Sequence, residues 1–194
     1  MTISKKIVEK FQNIGQDAFL TGLIASKSGN MSVRLKDKMI ITTTGSSLGR
    51  LTENQLVTLS INNLDSPNLK KASTAVYLHQ AIYKKTDAQA IIHLHCPAAV
   101  ALSISEREIT PIDSEGIYYF QRIPVIHKPF QAGSKNVLNE LADLLKDYRV
   151  AIVSPHGVFA KGKDLDEAFF WASSVEQSSK IIIQRRLLDQ GKKI

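Results

Sequence analysis

Residues 91–103 read IIHLHCPAAVALS, and this stretch decides how the surrounding chain folds. The apolar run that leads into it starts at Ala88 and predicts a buried strand, which is stopped by Pro97 at the start of a short helix. Because side chains alternate along a strand, His93 and His95 project from the same face. A buried imidazole needs a partner for each ring nitrogen. Two imidazoles on one face either hold a single metal ion or form a hydrogen-bonded core pair, and this pair alone favours neither.

A third histidine strengthens the metal hypothesis. His156 lies in VAIVSPHGVFAKG, at the end of another buried strand and directly before Gly157, which lets the backbone turn. Three histidines at strand ends are the ligand type of a catalytic zinc site, in which one position stays open. We interpret His79, on a predicted helix, and His127, after a strand that proline interrupts, as structural or exposed.

Upstream of this stretch, the hydrophobic pattern predicts a helix, a hairpin and a second helix. Apolar residues recur at helical spacing after Ser4. The segments NMSVRL and MIITTTG flank the turn KDK and predict a hairpin, and STAVYLHQAIYKK predicts the second helix. The apolar residues of the first helix are Ile7, Phe11, Ile14 and Ala18.

Downstream, the segment IYYFQRIPVI is strand-like but is interrupted by Pro124. Ser134 is a candidate helix cap, RVAIVS predicts a buried strand, and Asp164 with Glu167 resembles a capping box that starts a long last helix. Helices and strands are interspersed without the regular alternation of a doubly wound parallel sheet. The pattern therefore favours an α/β sandwich around a mixed or antiparallel sheet.

The composition limits the class of protein. The chain has 194 residues, 43% of them hydrophobic, which suits one domain over residues 1–194. No apolar stretch approaches the roughly 20 residues that span a bilayer, and the amphipathic N-terminus lacks a signal-peptide core, so we expect no membrane contact. The single cysteine, Cys96, excludes a disulfide framework and favours a cytoplasmic location. The net charge of +7 favours an anionic partner. The basic residues are not interleaved with aromatic residues as in RNA-binding motifs, so we expect an anionic small substrate and not a nucleic acid.

Two loops combine glycine with small polar residues. SKSGNMS and TTTGSS each lie at a strand terminus, where backbone N–H groups and hydroxyls can bind a phosphate. Ordinary turn chemistry explains the same residues, so the loops alone are a weak signal. They match neither a P-loop nor a dinucleotide-binding fingerprint.

Four segments together resemble the class II aldolase/adducin family: SGNMSVR, ITTTG, YLHQAIYKKTDAQAIIHLH and PHGVFAKGKDLDEAF, in this order and at familiar spacing. The resemblance covers most of the chain. It implies a single class II aldolase/adducin-type domain with a three-layer α/β/α sandwich and a central mixed, largely antiparallel sheet. It also implies a homotetramer whose active sites lie between subunits.

The resemblance also implies a set of site residues. The family's zinc ligands correspond to His93, His95 and His156, although another divalent metal such as manganese or cobalt stays open. Lys27 stands where the aldolases usually have a small hydroxyl residue. The family's phosphate-binding positions correspond to Asn30, Thr44, Gly45, Ser73 and Thr74.

One position departs from the aldolase pattern. The resemblance implies that a glutamate which contacts zinc and acts as general base follows the phosphate-binding Ser-Ser, and Ala75 stands there in KASTAVYLH. Loss of general acid–base catalysis costs roughly 10²–10⁴ in rate. Methylthioribulose-1-phosphate dehydratase-like members also lack this glutamate and use one placed after the His-x-His strand. Glu115 in TPIDSEGIYYF lies in that region, so we expect it to be either the catalytic acid/base, with Tyr118 or Tyr119 assisting, or a solvated loop carboxylate.

Three functions remain open from the sequence. The leading hypothesis is a zinc-dependent lyase that cleaves a phosphorylated keto-sugar by a fuculose-phosphate aldolase-like retro-aldol reaction, through an enediolate that the metal stabilises. The first alternative is a sugar-phosphate dehydratase that uses Glu115 as acid/base. The second is a non-catalytic, adducin-like binding protein, because a fold does not fix function and Ala75 replaces the usual glutamate.

Overall fold

The computed structural model describes residues 3–128 and 135–191 of the chain. The strands are β1 (Asn30–Leu35), β2 (Lys38–Thr42), β3 (Leu56–Ser60), β4 (Ala90–Leu94), β5 (Glu108–Ile109), β6 (Ile123–Ile126), β7 (Val150–Val153) and β8 (Gly157–Gly162). The helices are α1 (Lys5–Leu20), α2 (Val76–Lys85), α3 (Pro97–Ser103), α4 (Ser114–Tyr119), α5 (Lys135–Asp147) and α6 (Leu165–Gly191). The strands form one 8-stranded sheet in the order β3-β2-β1-β4-β8-β7-β6-β5.

The sheet is mixed but largely antiparallel, as expected. In the described part of the chain only β6 and β7 pair in parallel, and the other neighbouring strands are antiparallel. Two hydrophobic clusters cover its faces. Ile92 belongs to the cluster that contains α1, α3 and α6, whereas its neighbour Ile91 belongs to the cluster with α2 and α5. The alternation along β4 thus separates two helical layers, and the three-layer α/β/α prediction is confirmed.

The first helix and the hairpin are also where the sequence pattern predicts them. Helix α1 buries Phe11, Ile14 and Ala18 against the sheet. Strands β1 and β2 pair antiparallel with Ser32 opposite Ile41. The pattern does not predict three of the strands, of which β5 has only two residues. Strand β3 extends the sheet beyond β2, and β8 pairs on one side with β4 and on the other with β7.

The strand prediction for IYYFQRIPVI is wrong in its first half. Residues 114–119 form α4, and its cap is Asp113, whose carboxylate accepts a hydrogen bond from the Gly116 N–H at 2.8 Å. A Cβ at Gly116 would meet the Ser178 hydroxyl of α6, so the short helix packs closely on α6. Packing and capping therefore override the β propensity of the aromatic residues. Glu115 accordingly lies in the first turn of a helix and not in a loop.

The second half of that segment is β6, with Pro124 inside it. Pro124 lies opposite Glu108 of the two-residue edge strand β5. It precedes Val125, where the pairing of β6 with β7 begins, so a missing N–H is tolerated there. Ser134, the candidate cap of the next helix, lies outside the described residues.

The last helix starts as the sequence predicts. The Glu167 N–H donates to the Asp164 carboxylate at 2.8 Å, and the Glu167 carboxylate accepts from the Lys163 N–H at 2.6 Å. In a regular capping box the Glu167 carboxylate would accept from the N–H of the cap residue Asp164, whereas here it accepts from the preceding residue. Helix α6 then runs for 27 residues beneath the sheet. Across residues 3–128 and 135–191, no helix combines the length and the apolar character needed to cross a membrane.

Candidate metal centre and adjoining loops

Three histidines converge at one end of the sheet. His93 lies near the C-terminal end of β4, and His95 follows directly after this strand. Strand β4 pairs antiparallel with β8, so that Leu94 lies opposite Val158. This pairing brings His156, directly before β8, beside the end of β4. The His93 Nε2 atom is 2.9 Å from His156 Nε2 and 3.1 Å from His95 Nε2. The ligand atoms of all three residues lie within 4.8 Å of one another.

The arrangement fits a metal ion. His93 Nδ1 donates to the Val158 carbonyl at 3.0 Å, which leaves the lone pair of Nε2 directed at the cluster. The His93 ring also stacks on Phe159 with centroids 4.0 Å apart, so its orientation is fixed. Nitrogen atoms bound tetrahedrally to zinc at about 2.0–2.1 Å stand roughly 3.3 Å apart, only slightly further than His93 Nε2 lies from the Nε2 atoms of His95 and His156. The triad could therefore bind a divalent metal with little rearrangement.

The protonation states favour the same conclusion. Burial, then the neighbouring His156 and His95, hold the pKa of His93 well below its usual value. Burial and then His95 lower the pKa of His156 to about 4, and burial lowers the pKa of His95. All three imidazoles are consequently neutral near neutral pH, which is the form that binds a metal. Three neutral ligands would leave the full charge of a divalent ion uncompensated and would make it a stronger Lewis acid.

A glycine is needed at residue 157 because a side chain would not fit there. The backbone turn that the sequence predicts at this residue is not the reason. A Cβ at Gly157 would stand 2.5 Å from the Leu94 carbonyl oxygen and 2.8 Å from His93 Cε1. These distances are shorter than any real Cβ contact. The backbone of β8 can approach the histidine strand only because residue 157 has no side chain.

We expect Gly157→Ala to lower the free energy of unfolding by about 1–3 kcal/mol, because the backbone and the His93 ring must move apart. Chemical denaturation measures this change. Gly191→Ala is the matched control, since a Cβ there meets nothing within 4 Å. Equal effects of the two substitutions would contradict the steric explanation.

The glycine-containing loops lie at the same end of the sheet as the histidines. The Thr44 N–H donates to the Lys71 carbonyl at 3.0 Å, and the Ser73 N–H donates to the Thr42 carbonyl at 2.9 Å. The two segments 42–45 and 71–75 are thereby joined side by side. Gly45 has a φ of +74°, a conformation that other residues rarely adopt. Thr44 and Gly45 are both exposed at this turn.

Asn30 connects these loops to the histidine strand. It is the first residue of β1 and lies directly opposite His93 in the antiparallel pairing of β1 with β4. Its side chain is 8% exposed, and its Oδ1 atom lies 2.6 Å from Nε2 of His79 on α2. Thr74 is exposed at the start of α2, and Lys27 is exposed in the loop before β1. The structure thus brings Asn30 and the two loop segments together next to the histidines.

Comparisons with known proteins agree with this architecture. Residues 9–183 match the sequence model of the Class II Aldolase and Adducin N-terminal domain. The chain belongs to this family. It is 33% identical over 167 residues to the L-fuculose phosphate aldolase of Methanocaldococcus jannaschii, covering 85% of this chain and 89% of that protein. It is 31% identical over 193 residues to the 3-oxo-tetronate 4-phosphate decarboxylase of Haemophilus influenzae, covering 96% and 89% respectively.

A solved member of the class II aldolase family has nearly the same fold. The crystal structure of L-fuculose-1-phosphate aldolase from Thermus thermophilus superposes with a TM-score of 0.90 and 30% sequence identity. The match covers 96% of this chain and 97% of that one. The family relatives in these comparisons are aldolases and decarboxylases, so the chain belongs to an enzyme family of lyases.

The position at which the resemblance implies a glutamate is buried in the fold. Ala75 is 5% exposed and caps the N-terminus of α2, where it belongs to the same hydrophobic cluster as Val76. Its methyl group offers neither a metal ligand nor a proton acceptor. The two candidates for replacing this function, Glu115 and Tyr118, lie elsewhere on α4. Both are exposed, and Tyr118 is 84% exposed with its ring against Tyr119.

One buried acid, which the sequence does not single out, contacts the helix that follows the histidine strand. Glu176 of α6 is 1% exposed, and its carboxylate accepts hydrogen bonds from the Ala98 and Ala99 N–H groups at 3.0 Å. Lys180 lies 3.5 Å from the same carboxylate. This contact fixes the first turn of α3, which begins two residues after His95. In the sequence, Glu176 is marked only by its helical spacing, which places it on the buried face of α6 among small residues.

Proposed function

We propose that the protein is a zinc-dependent lyase that cleaves a carbon–carbon bond of a phosphorylated keto-sugar, with retro-aldol cleavage as its reaction. The observation that carries this proposal is the placement of two different sites at one end of the sheet. A histidine triad suited to a metal lies opposite Asn30, and Asn30 borders loops suited to a phosphate. The aldolase and decarboxylase relatives support the proposal, because the names of both enzymes describe phosphorylated substrates.

The roles of the residues follow from their chemistry. His93, His95 and His156 would hold the ion, and zinc suits a set of three nitrogen ligands with one position left open. A bound divalent ion would supply a Lewis acid for the negative charge that develops on the substrate oxygen atoms. The phosphate would bind at uncharged donors of the two loops and at Asn30. These donors are Thr44, Gly45, Ser73 and Thr74.

The proton acceptor of the reaction is assigned to Glu115. We propose that it serves the metal centre of a neighbouring subunit in a homotetramer, with Tyr118 assisting. Exposed apolar side chains on and beside α4 support such contacts, since Ile117 is 58% and Ile112 is 49% exposed. A single domain over residues 1–194 and a cytoplasmic location belong to the same proposal, and the lone Cys96 supports the latter.

Decarboxylation of a phosphorylated 3-oxo sugar acid is the second candidate, and Ala75 favours it. Retro-aldol cleavage begins with removal of a hydroxyl proton, so it needs a base near the metal. A β-keto acid is already ionised, and its carbon–carbon bond breaks as carbon dioxide leaves, with the electron pair passing to the enolate. Only the later protonation of carbon needs an acid. The alignment with the Haemophilus influenzae decarboxylase over 96% of the chain supports this candidate.

Product analysis tests the proposed function. The metal-loaded protein would be incubated with a panel of phosphorylated ketoses and phosphorylated 3-oxo sugar acids, followed by assays for released aldehyde, carbon dioxide and dehydrated product. Aldehyde supports retro-aldol cleavage, and carbon dioxide supports the second candidate. A dehydrated product supports the dehydratase reaction with Glu115 as acid/base. No product from any compound would favour an adducin-like binding protein.

Substitutions in the loops should affect phosphorylated substrates selectively. We expect Thr44→Val and Ser73→Ala to raise KM about fivefold to tenfold for a phosphorylated substrate, because each removes a hydroxyl from the proposed phosphate site. The Thr44 hydroxyl donates to the Ala72 carbonyl at 2.9 Å and would turn from it to the phosphate. The dephosphorylated analogue should show little change. Steady-state kinetics with both compounds measures the difference. Equal effects on the two substrates would place the phosphate elsewhere.

A further inference from the structure

A buried chain of hydrogen bonds lies behind the loops and joins α2 to β1. The Tyr83 hydroxyl is 2.8 Å from Ser32 Oγ, and Ser32 Oγ is 2.6 Å from His79 Nδ1. His79 Nε2 is in turn 2.6 Å from Asn30 Oδ1. The spacing of the four residues explains the geometry, because Asn30 and Ser32 share one face of a strand and His79 and Tyr83 share one face of a helix. Ser32 and His79 are fully buried, and Tyr83 is 2% exposed.

The buried tyrosine fixes the direction of these bonds. Within residues 3–128 and 135–191, Ser32 Oγ is the only hydrogen-bond partner recorded for the Tyr83 hydroxyl. An O–H group buried without an acceptor is costly, so the Tyr83 proton must point to Ser32. The Ser32 proton then points to His79 Nδ1, because a hydroxyl has only one proton to give. His79 consequently carries its proton on Nε2 and donates it to Asn30.

This direction decides what Asn30 can offer a ligand. Its Oδ1 atom is occupied by His79, and no residue in the described ranges accepts a hydrogen bond from its Nδ2 atom. Two N–H donors therefore remain, and an anion needs donors. If every bond ran the other way, Asn30 would donate to His79 and present its carbonyl oxygen, which repels a phosphate.

We propose that His79 is a positioning residue that holds the Asn30 carboxamide with its N–H groups available to the substrate phosphate. The inference rests on the proposed phosphate site and adds to it a residue that contacts neither phosphate nor metal. Burial lowers the pKa of His79 to about 3, so the ring stays neutral and keeps the same proton near neutral pH.

The first test is made on the unmodified protein. Nitrogen-15 NMR at about pH 7 should show the His79 ring as the neutral Nε2–H form, with Nδ1 unprotonated. The resonances are assigned by their absence from the spectrum of His79→Gln. A neutral Nδ1–H form would overturn the inference, because the bonds would then run in the direction that turns the Asn30 oxygen outward.

The second test is the binding of inorganic phosphate to the full-length protein, measured by calorimetry. We expect His79→Leu to raise the dissociation constant about tenfold or more, because the Asn30 amide is no longer held. His79→Gln keeps a donor at the position of Nε2 and should stay within about threefold of the original protein. The matched control is Gln80→Ala on the same helix, whose side chain donates to the Ile61 carbonyl instead.

Two results would overturn different claims. Thr44→Val serves as the reference for the phosphate site itself. If it leaves phosphate binding unchanged, the ion binds elsewhere, and both the proposed site and the inference fail. If Thr44→Val weakens binding but His79→Leu matches Gln80→Ala, the site stands and the positioning role of His79 fails.

Discussion

Replacing His93 and His95 together with Ala is expected to reduce the metal content of the purified protein from about one ion per chain to background. The pair supplies two of three ligand atoms, and His156 alone cannot hold an ion against dialysis. His93 also donates to the Val158 carbonyl and stacks on Phe159, so its loss removes both a ligand and a contact that orients the strand. Elemental analysis after dialysis measures the change.

Two controls make this result specific. His127→Ala removes an exposed histidine whose Nε2 donates to the Glu106 carbonyl, and its metal content should be unchanged. His95→Ala alone removes a half-buried ligand with less disturbance of the core than the double substitution, and it should weaken binding while circular dichroism shows a folded protein. Full metal content in the double variant would refute the assignment of the triad.

Glu115→Gln is expected to lower kcat by roughly 10²–10⁴, equivalent to about 3–5 kcal/mol of transition-state stabilisation. Ala75 leaves the centre without the carboxylate that the aldolase pattern places there, so a different group must move the proton. Gln keeps the size and hydrogen-bonding shape of Glu115 but cannot accept a proton. Steady-state kinetics on the substrate found by product analysis measures the effect, and Glu108→Gln on the neighbouring edge strand is the control.

Ala75→Glu provides the opposite experiment. If Glu115 is the acid/base, restoring a glutamate at residue 75 should not rescue Glu115→Gln, because the native proton path runs through α4. The new carboxylate would also enter a site that is 5% exposed and lined by apolar residues. The opposite pattern would make Glu115 a bystander. In that case Glu115→Gln would leave turnover unchanged and Ala75→Glu would create aldolase activity, which describes a weakened aldolase or a binding protein.

Local patterns failed where packing between distant segments decides the conformation. The aromatic residues of IYYF have strand propensity, yet Asp113 caps a helix there and Gly116 allows it to pack on α6. The strands β3 and β8 were missed for a related reason. Their residues become strands because neighbouring strands offer them hydrogen bonds, and the sequence of a short segment does not contain its neighbour.

The same limit applies to His79. From the sequence it is one histidine on a helix, and we interpreted it as structural or exposed. Its full burial beside Ser32 and Asn30 depends on how α2 lies across β1. The paired spacings of N-x-S on a strand and H-x-x-x-Y on a helix are visible in the sequence, but nothing local shows that they face each other.

The features that depend on backbone periodicity and side-chain chemistry can be predicted from the sequence. Strand alternation placed His93 and His95 on one face, helical spacing defined α1, and Asp164 with Glu167 marked the start of α6. Which distant residues meet depends on the tertiary structure. The antiparallel pairing of β4 with β8 carries His156 to a histidine 63 positions away, and the pairing of β1 with β4 sets Asn30 opposite His93. Both depend on strand order, because hydrogen bonds between strands form across space without regard to separation along the chain.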